Sequence, residues 1–507
     1  MDNSVTMGEL SLERARIRRL ARHVASGLAE LGVAPEEPVT LLMRNDPEFL
    51  SLVTGIELIG ATATPVNWHF TPDEISHILL DSGARVLFAH SDLWRKVRAE
   101  VDARARDRVA VILVDPPAPL REAYGIEEAD RRIEPGEREL LAWAEGFEPV
   151  PDRPKPVSAG MIYTSGTTGK PKGVKRLAPI GVQRTHNHDA YVPWMRNLLA
   201  APVYHSAPYR AATATFAIGG ELFLQPRFRE EEFLALIERR RITHAFMVPT
   251  MFIRLLRLPQ EVRARHDLSS LRHVVHAGAP CPPDVKRRMI DWFGPVIFEF
   301  YGGTETGAVT YCTSQEWLDH PGTVGRATPD SRIRVRDEAG RDLPPGEPGE
   351  IWCRLATYPD FTYLNRPEAR AEMERDGLLS IGDVGFLDAD GYLFITDRKR
   401  DMIISGGSNI YCNMIEAVMI EHPAVADCAA FGIPDEELGE ALAVAVEPAE
   451  GHGLDEASVV DFAKTRLKGY MVPRRVMLVD ALPRDPSGKI FKRKLRDPFW
   501  EGRERRI

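Results

Sequence analysis

The sequence predicts an α/β protein: a large N-terminal domain of βα-built sheets carrying a β-rich subdomain, followed by a small α+β C-terminal domain. Three observations predict it. Short apolar runs alternate with stretches of helical apolar spacing through the first 300 residues or so, the pattern of repeated βα units. From residue 332 the pattern changes to short strands separated by Gly/Pro turns. At 507 residues the chain also exceeds one ordinary core, so more than one domain is expected.

Taken in order, residues 10–31 show helical apolar spacing with arginines on the other face. Residues 39–43 read as a buried strand, 47–59 as a helix and 61–66 as a strand. A helix over 72–82 leads to a strand at 86–89, then a helix at 93–105 and a strand at 109–114. Such repetition implies a largely parallel sheet covered by helices. The Pro- and charge-rich stretch 115–156 reads as connector that delivers the chain onto a strand ending at 161–163. A helix is expected over 181–199. A second βα series follows, with strands at 221–225, 243–248, 273–277 and 296–300 and helices at 230–240, 250–256 and 283–292. Residues 338–353 read as hairpin sequence within a β-rich subdomain at about 330–399. Beyond 400, a helix at 413–422, strands at 424–431 and 441–446 and a helix at 456–467 make the small domain.

Composition narrows the function classes. Hydrophobic content of 44% and charged content of 27% are globular values. The net charge is −9 with both signs dispersed, so nothing points to nucleic acid or to an anionic membrane surface. Cys281, Cys312, Cys353, Cys412 and Cys428 are widely spaced and form no C-x-x-C pair, which suggests neither a zinc site nor a disulfide framework. No signal-peptide core and no membrane-spanning run is present, and a cytoplasmic location is expected.

The stretch MIYTSGTTGKPKG, residues 161–173, holds the densest chemistry. Glycines let backbone N–H groups converge on an anion. Thr164, Ser165, Thr167 and Thr168 can donate to phosphate oxygens, and Lys170 and Lys172 can neutralise them. It is not a Walker A loop, because only two residues separate Gly166 from Gly169 and Pro171 follows Lys170. A polyphosphate is the simplest ligand, the alternative being an exposed Gly/Thr turn.

YTSGTTGKPKG resembles the phosphate loop of the adenylate-forming superfamily: acyl-CoA synthetases, peptide-synthetase adenylation domains and firefly luciferase. Four further motifs follow in the family's order, at 276–280, 301–307, 380–401 and 483–494, so the resemblance covers nearly the whole chain. It implies ATP and Mg²⁺ as cofactors, a carboxylic acid substrate and an acyl-adenylate intermediate. HAGAP implies an adenine contact through Gly278, Ala279 and Pro280. YGGTETG implies that Tyr301 and Gly302 lie near the nucleotide, that Thr304 reaches a phosphate and that Glu305 holds Mg²⁺. The GD and DR motifs imply that Asp383 and Arg398 bind the ribose. Thr164 belongs to the reacting centre, and His205, in APVYHSAPY, would border the acyl pocket and the carboxylate. Arg400 takes the hinge position, which divides the chain into 1–399 and a mobile domain at 400–507. Lys489, beside Gly488, takes the place of the family's catalytic lysine.

The acyl acceptor is expected to be CoA, with an amine, giving an amide, as the alternative. A nucleotide-binding protein without catalysis is a remote third reading that Lys489 and Glu305 argue against. After the hinge, acyl-CoA synthetases commonly read Gly-Gly-x-Asn-Ile-Tyr-Pro-x-Glu, where this chain places Cys412 at the proline and Met414 at the glutamate. The small residues of 211–220 permit a bulky or aromatic acid, and tight helix packing explains them about as well.

Overall fold

Four short, mostly buried strands lie side by side and parallel: Arg196–Leu199, His244–Met247, His273–His276 and Ile297–Glu299. Glu221–Leu224 and Ser4–Met7 extend this sheet in the same direction, and Leu10–Glu13 closes its edge antiparallel. A second, parallel sheet runs Thr62–Pro65, Pro38–Leu42, Val86–His90, Ala110–Val114 and Arg138–Glu139 in spatial order. Helices cover both, as parallel strands require. The computed structural model describes residues 4–151, 160–164, 170–178, 191–406, 408–449, 451, 453–484 and 490–501.

Where local signals are strong, expected elements fall within a residue or two. The helix Pro72–Ser82 starts at a capping box between Thr71 and Glu74, has Pro72 in its first turn and stops at Gly83, which is left-handed at φ +68°. Three expectations fail. Residues 10–13 are a strand, and the helix begins only at Arg14–Glu30; Leu10 and Leu12 follow the strand period of two, and they pair back onto Ser4–Met7 through a turn at Gly8. Residues 196–199 are a strand, because four residues, Arg-Asn-Leu-Leu, are too few to show a period that separates strand from helix and both flanking strands supply hydrogen bonds. The helix expected over 93–105 is two, Ser91–Val97 and Ala103–Arg106, with Asp102 capping the second through Arg104 N–H. The connector 115–156 also contains short helices, Ala118–Tyr124, Glu128–Arg131 and Leu140–Glu145.

Ser331–Arg336 and Gly349–Leu355 form the expected hairpin, and Asp383–Leu387 and Leu393–Arg398 continue it as an antiparallel sheet. Beyond residue 400, Gly439–Pro448 pairs with Val425–Asp435, Ile403–Ser405 and Arg475–Leu478. The helices Cys412–Met419 and Glu456–Arg466 pack there on a core of their own that includes Ile403, Ile415, Val444 and Val459. Among the described residues no helix is long and apolar enough to cross a membrane.

The helices Arg14–Glu30 and Pro47–Leu58 approach closely at Gly55, where an added Cβ would lie 2.6 Å from the carbonyl oxygen of Ala21. Backbone cannot yield as a side-chain tip can. Gly55→Ala should therefore destabilise the large domain by about 1–3 kcal/mol despite alanine's better helix propensity. A urea midpoint at or above that of the unsubstituted chain would refute the close contact.

Candidate active site

The C-terminal ends of the parallel strands open into one cavity of about 1860 Å³. Ligands of open α/β sheets bind at such ends. Its wall includes His205, Val248, Gly278, Ala279 and the 302–305 turn, and, from the antiparallel sheet and the junction beyond it, Gly382, Arg398, Lys399 and Arg400.

Glu305 sits at the tip of a two-residue hairpin in which Gly302–Gly303 pairs with Gly307–Ala308. A Cβ at Gly302 would lie 1.8 Å from the carbonyl oxygen of Gly307, so only glycine permits this approach. Arg176 clamps the turn from beneath: its guanidinium donates to the carbonyls of Glu305 at 3.0 Å, of Pro359 at 2.8 Å and of Thr304. Burial lowers the Arg176 pKa, and the carbonyls and the Tyr358 ring, 4.0 Å from the guanidinium carbon, are what keep the charge tolerable there. The Glu305 carboxylate accepts from Tyr363 Oη at 2.8 Å through Oε1, with Thr164 Oγ1 3.5 Å from the same oxygen. Burial, then the charge of Glu305, raises the Tyr363 pKa, so the phenol stays a donor. Thr304 Oγ1 donates to Ser206 Oγ at 3.1 Å and ties the turn to the start of the helix Ser206–Ile218.

Strand pairing explains how distant residues meet here. Ile162–Thr164 pairs antiparallel with Lys172–Arg176, with Thr164 opposite Lys172. The second strand also pairs with Phe361–Tyr363, which brings Tyr363 beside Glu305 and places Lys172 Nζ 5.3 Å from the centre of the Tyr363 ring.

Asp383 faces Arg398 across a strand pair, with Arg398 Nε 3.2 Å from Oδ1, while Tyr301 Oη donates to Oδ2 at 2.7 Å. Asp383, being the nearest charge, raises the Arg398 pKa. Burial, then Asp383, raises that of Tyr301. Here expectation and structure differ. Asp383 is 3% exposed, and neither it nor Tyr301 lines the cavity; both stand behind Gly382 and Arg398, which do. Tyr301 is spent on Asp383 rather than held out for a base.

Of the remaining expected residues, Thr164, Lys172, His205, Gly278, Ala279, Gly302, Thr304, Glu305 and Arg400 all line the cavity. Gly278 needs its left-handed φ of +88° for the turn. Pro280 is a correction: it is exposed and outside the wall, because the turn carries the chain away after Ala279. Ser165, Gly166, Thr167, Thr168, Gly169 and Lys489 lie outside the described residues. Phe491, two positions after Lys489, lines the cavity. The reading missed Arg176, Tyr363 and Ser206. No spacing links 363 to 305; only strand pairing does, although the basic residue closing KGVKR was a usable hint.

Family models match the chain as "AMP-binding enzyme" over residues 9–357 and "AMP-binding enzyme C-terminal domain" over residues 414–489. The chain belongs to the AMP-binding enzyme family. Feruloyl-CoA synthase of Amycolatopsis sp is 33% identical over 508 residues, 98% of this chain and 96% of that one. Amide bond synthetase McbA from Marinactinospora thermotolerans superposes with a TM-score of 0.81 at 30% identity, covering 98% and 97% of the two chains. o-Succinylbenzoate coenzyme A synthetase (MenE) from Bacillus subtilis, solved with ATP and magnesium ion, gives 0.79 at 25% identity over 97% and 96%. The expected adenylate-forming ligase and its division into a large and a smaller domain are thereby established.

Tyr363→Phe removes the donor to Glu305 while keeping the ring. A hydrogen bond to a charged group is worth about 1.5–3 kcal/mol, so pyrophosphate release should fall about tenfold or more and need more Mg²⁺. An unchanged Mg²⁺ titration would show that Tyr363 does not hold Glu305 in place.

Proposed function

We propose that this chain activates a carboxylic acid with ATP and passes the acyl group to the thiol of CoA. The observation that carries the reading is the convergence of Thr164, Thr304, Glu305 and Arg398 on one cavity that Phe491 also lines. A carboxylate oxygen attacks the α-phosphorus, the bond to the bridging oxygen of the β-phosphate breaks, and pyrophosphate leaves with that electron pair. In the second step the thiol attacks the acyl carbon, loses its proton and displaces AMP.

Each residue has a part in this reading. Thr164, Ser165, Gly166, Thr167, Thr168, Gly169 and Lys172 hold the phosphates, and Thr304 donates beside them. Gly278 and Ala279 form the shelf for adenine. Arg398 reaches the ribose, oriented by Asp383, which is itself held by Tyr301. His205 borders the acid's carboxylate. Glu305 fits a magnesium ligand: Oε1 accepts from Tyr363, while Oε2 accepts no hydrogen bond among the described residues. Mg²⁺ there would draw charge off the phosphate oxygens. Lys489 stabilises charge on the pentavalent phosphorus. Residues 1–399 and 400–507 are the two domains, and rotation about Arg400 exchanges the Lys489 loop for the acceptor.

A second acceptor, an amine, is favoured by Met414. It is 48% exposed where the CoA-ligase pattern carries a glutamate, and McbA is an amide bond synthetase of the same fold. Competition decides: with a good acid and ATP, CoA and an amine are supplied together. Thioester with only background amide supports CoA. Amide that ignores CoA overturns it.

Two variants test the steps separately. Lys489→Ala should nearly abolish acyl-adenylate formation and leave consumption of supplied acyl-adenylate; equal loss of both would remove Lys489 from the first step. Arg400→Pro restricts φ at the hinge and should spare pyrophosphate release while impairing transfer. Undiminished overall turnover would show that no large rotation occurs there.

A further inference from the structure

The cavity does not end at the strand ends. It follows one face of the parallel sheet back toward the strand starts, because alternate residues share a face: Val248 and Ala277 near the Glu305 turn, then His244 and His273 four positions earlier. Four strand residues span ~13 Å.

At that depth the floor is made of flat rings. His273 stacks on Phe298 with centroids 4.3 Å apart, and Phe298 on Tyr311 at 5.7 Å. His273 Nε2 lies 2.7 Å from Tyr311 Oη, and the His244 ring is 5.7 Å from that of His273. Burial, then His244, pushes the His273 pKa down to about 3, so this ring is neutral near pH 7.

The facing wall is the helix Ser206–Ile218. It begins at the reaction end, where Ser206 meets Thr304, and runs back beside the strand Arg196–Leu199, where Asn197 Nδ2 donates to Thr215 Oγ1 at 2.9 Å. Ala207 and Arg210 line the cavity. Arg210 is four residues from Ser206, so ~6 Å deep along the helix. Among the described residues no carboxylate pairs with its guanidinium. A saturated acyl chain filling this space would desolvate that cation and give nothing back, which is costly. It would also leave a floor of rings without a ring to stack on them.

We propose that the acid is a flat, multi-ring aromatic carboxylic acid with a hydrogen-bond acceptor part-way along its body, and that Arg210 reads that acceptor as a specificity-determining residue. The inference rests on the adenylation reading and names its substrate class. Bare side-chain length is not the issue: a carbocyclic acid of the same outline fits the floor but offers Arg210 no acceptor, so the acceptor sets the discrimination.

The test measures pyrophosphate release with naphthalenecarboxylic acids, quinolinecarboxylic and hydroxynaphthoic acids of matched outline, and decanoic acid. On the unsubstituted chain at least one acceptor-bearing acid should exceed its naphthalene counterpart tenfold or more in kcat/KM. Arg210→Met should bring that ratio close to one, and Arg210→Lys should restore part of it. A ratio that survives Arg210→Met overturns the role of Arg210. Release with decanoic acid alone overturns the substrate class and leaves the adenylation reading standing. Release with none of these acids overturns both.

Discussion

A carboxylate beside a largely apolar cavity must be held by donors, and this site is built around two of them, each fixed by a tyrosine hydroxyl. Tyr363 holds Glu305 at 2.8 Å, and Tyr301 holds Asp383 at 2.7 Å. In both pairs burial keeps the phenol protonated, so the bond is a neutral donor to a carboxylate acceptor. The consequence reaches outward. Tyr363 can reach Glu305 only if Phe361–Tyr363 pairs with Lys172–Arg176. Tyr301 can reach Asp383 only if the antiparallel sheet docks against the end of the parallel one. The two large units of the fold meet where these two bonds are made.

Arg176 extends the same logic to the backbone. Its strand leaves the phosphate loop, and its guanidinium binds carbonyls of the Glu305 turn. The strand Lys172–Arg176 and the Glu305 turn are therefore braced together, and neither can shift alone without stripping partners from a half-buried cation.

Much of this was legible in the sequence. The βα alternation, the capped helix at 72–82 and the hairpin sequence before 353 carry local signals that tertiary context did not override. Thr164, Glu305 and Arg398 were singled out by the phosphate-loop, TE and DR motifs, and the structure brings all three to one cavity wall. Residues 196–199 were not legible, since the strand Arg-Asn-Leu-Leu is too short to show a period. Tyr363 and Arg176 were not, because their roles come from pairing between strands nearly 200 residues apart in sequence. Asp383 shows a third kind of limit: the GD motif singled it out, but whether it reaches the cavity wall depends on packing, and it stands behind Gly382 and Arg398.

Cys412 begins the first helix of the small domain, where the CoA-ligase pattern carries proline. Its N–H donates to Asp397 of the strand before the hinge, and its Sγ–H to the carbonyl of Asp401 at 3.1 Å. Proline has no N–H and cannot make the first of these bonds. Any swing about Arg400 that parts the two elements has to break it. At about 1.5–3 kcal/mol for a bond to a charged acceptor, it would slow the proposed rotation about Arg400 about ten- to a hundredfold. On the proposed two-step reading, this departure from the motif would act as a clock on how long an activated acyl group is kept before it is handed on.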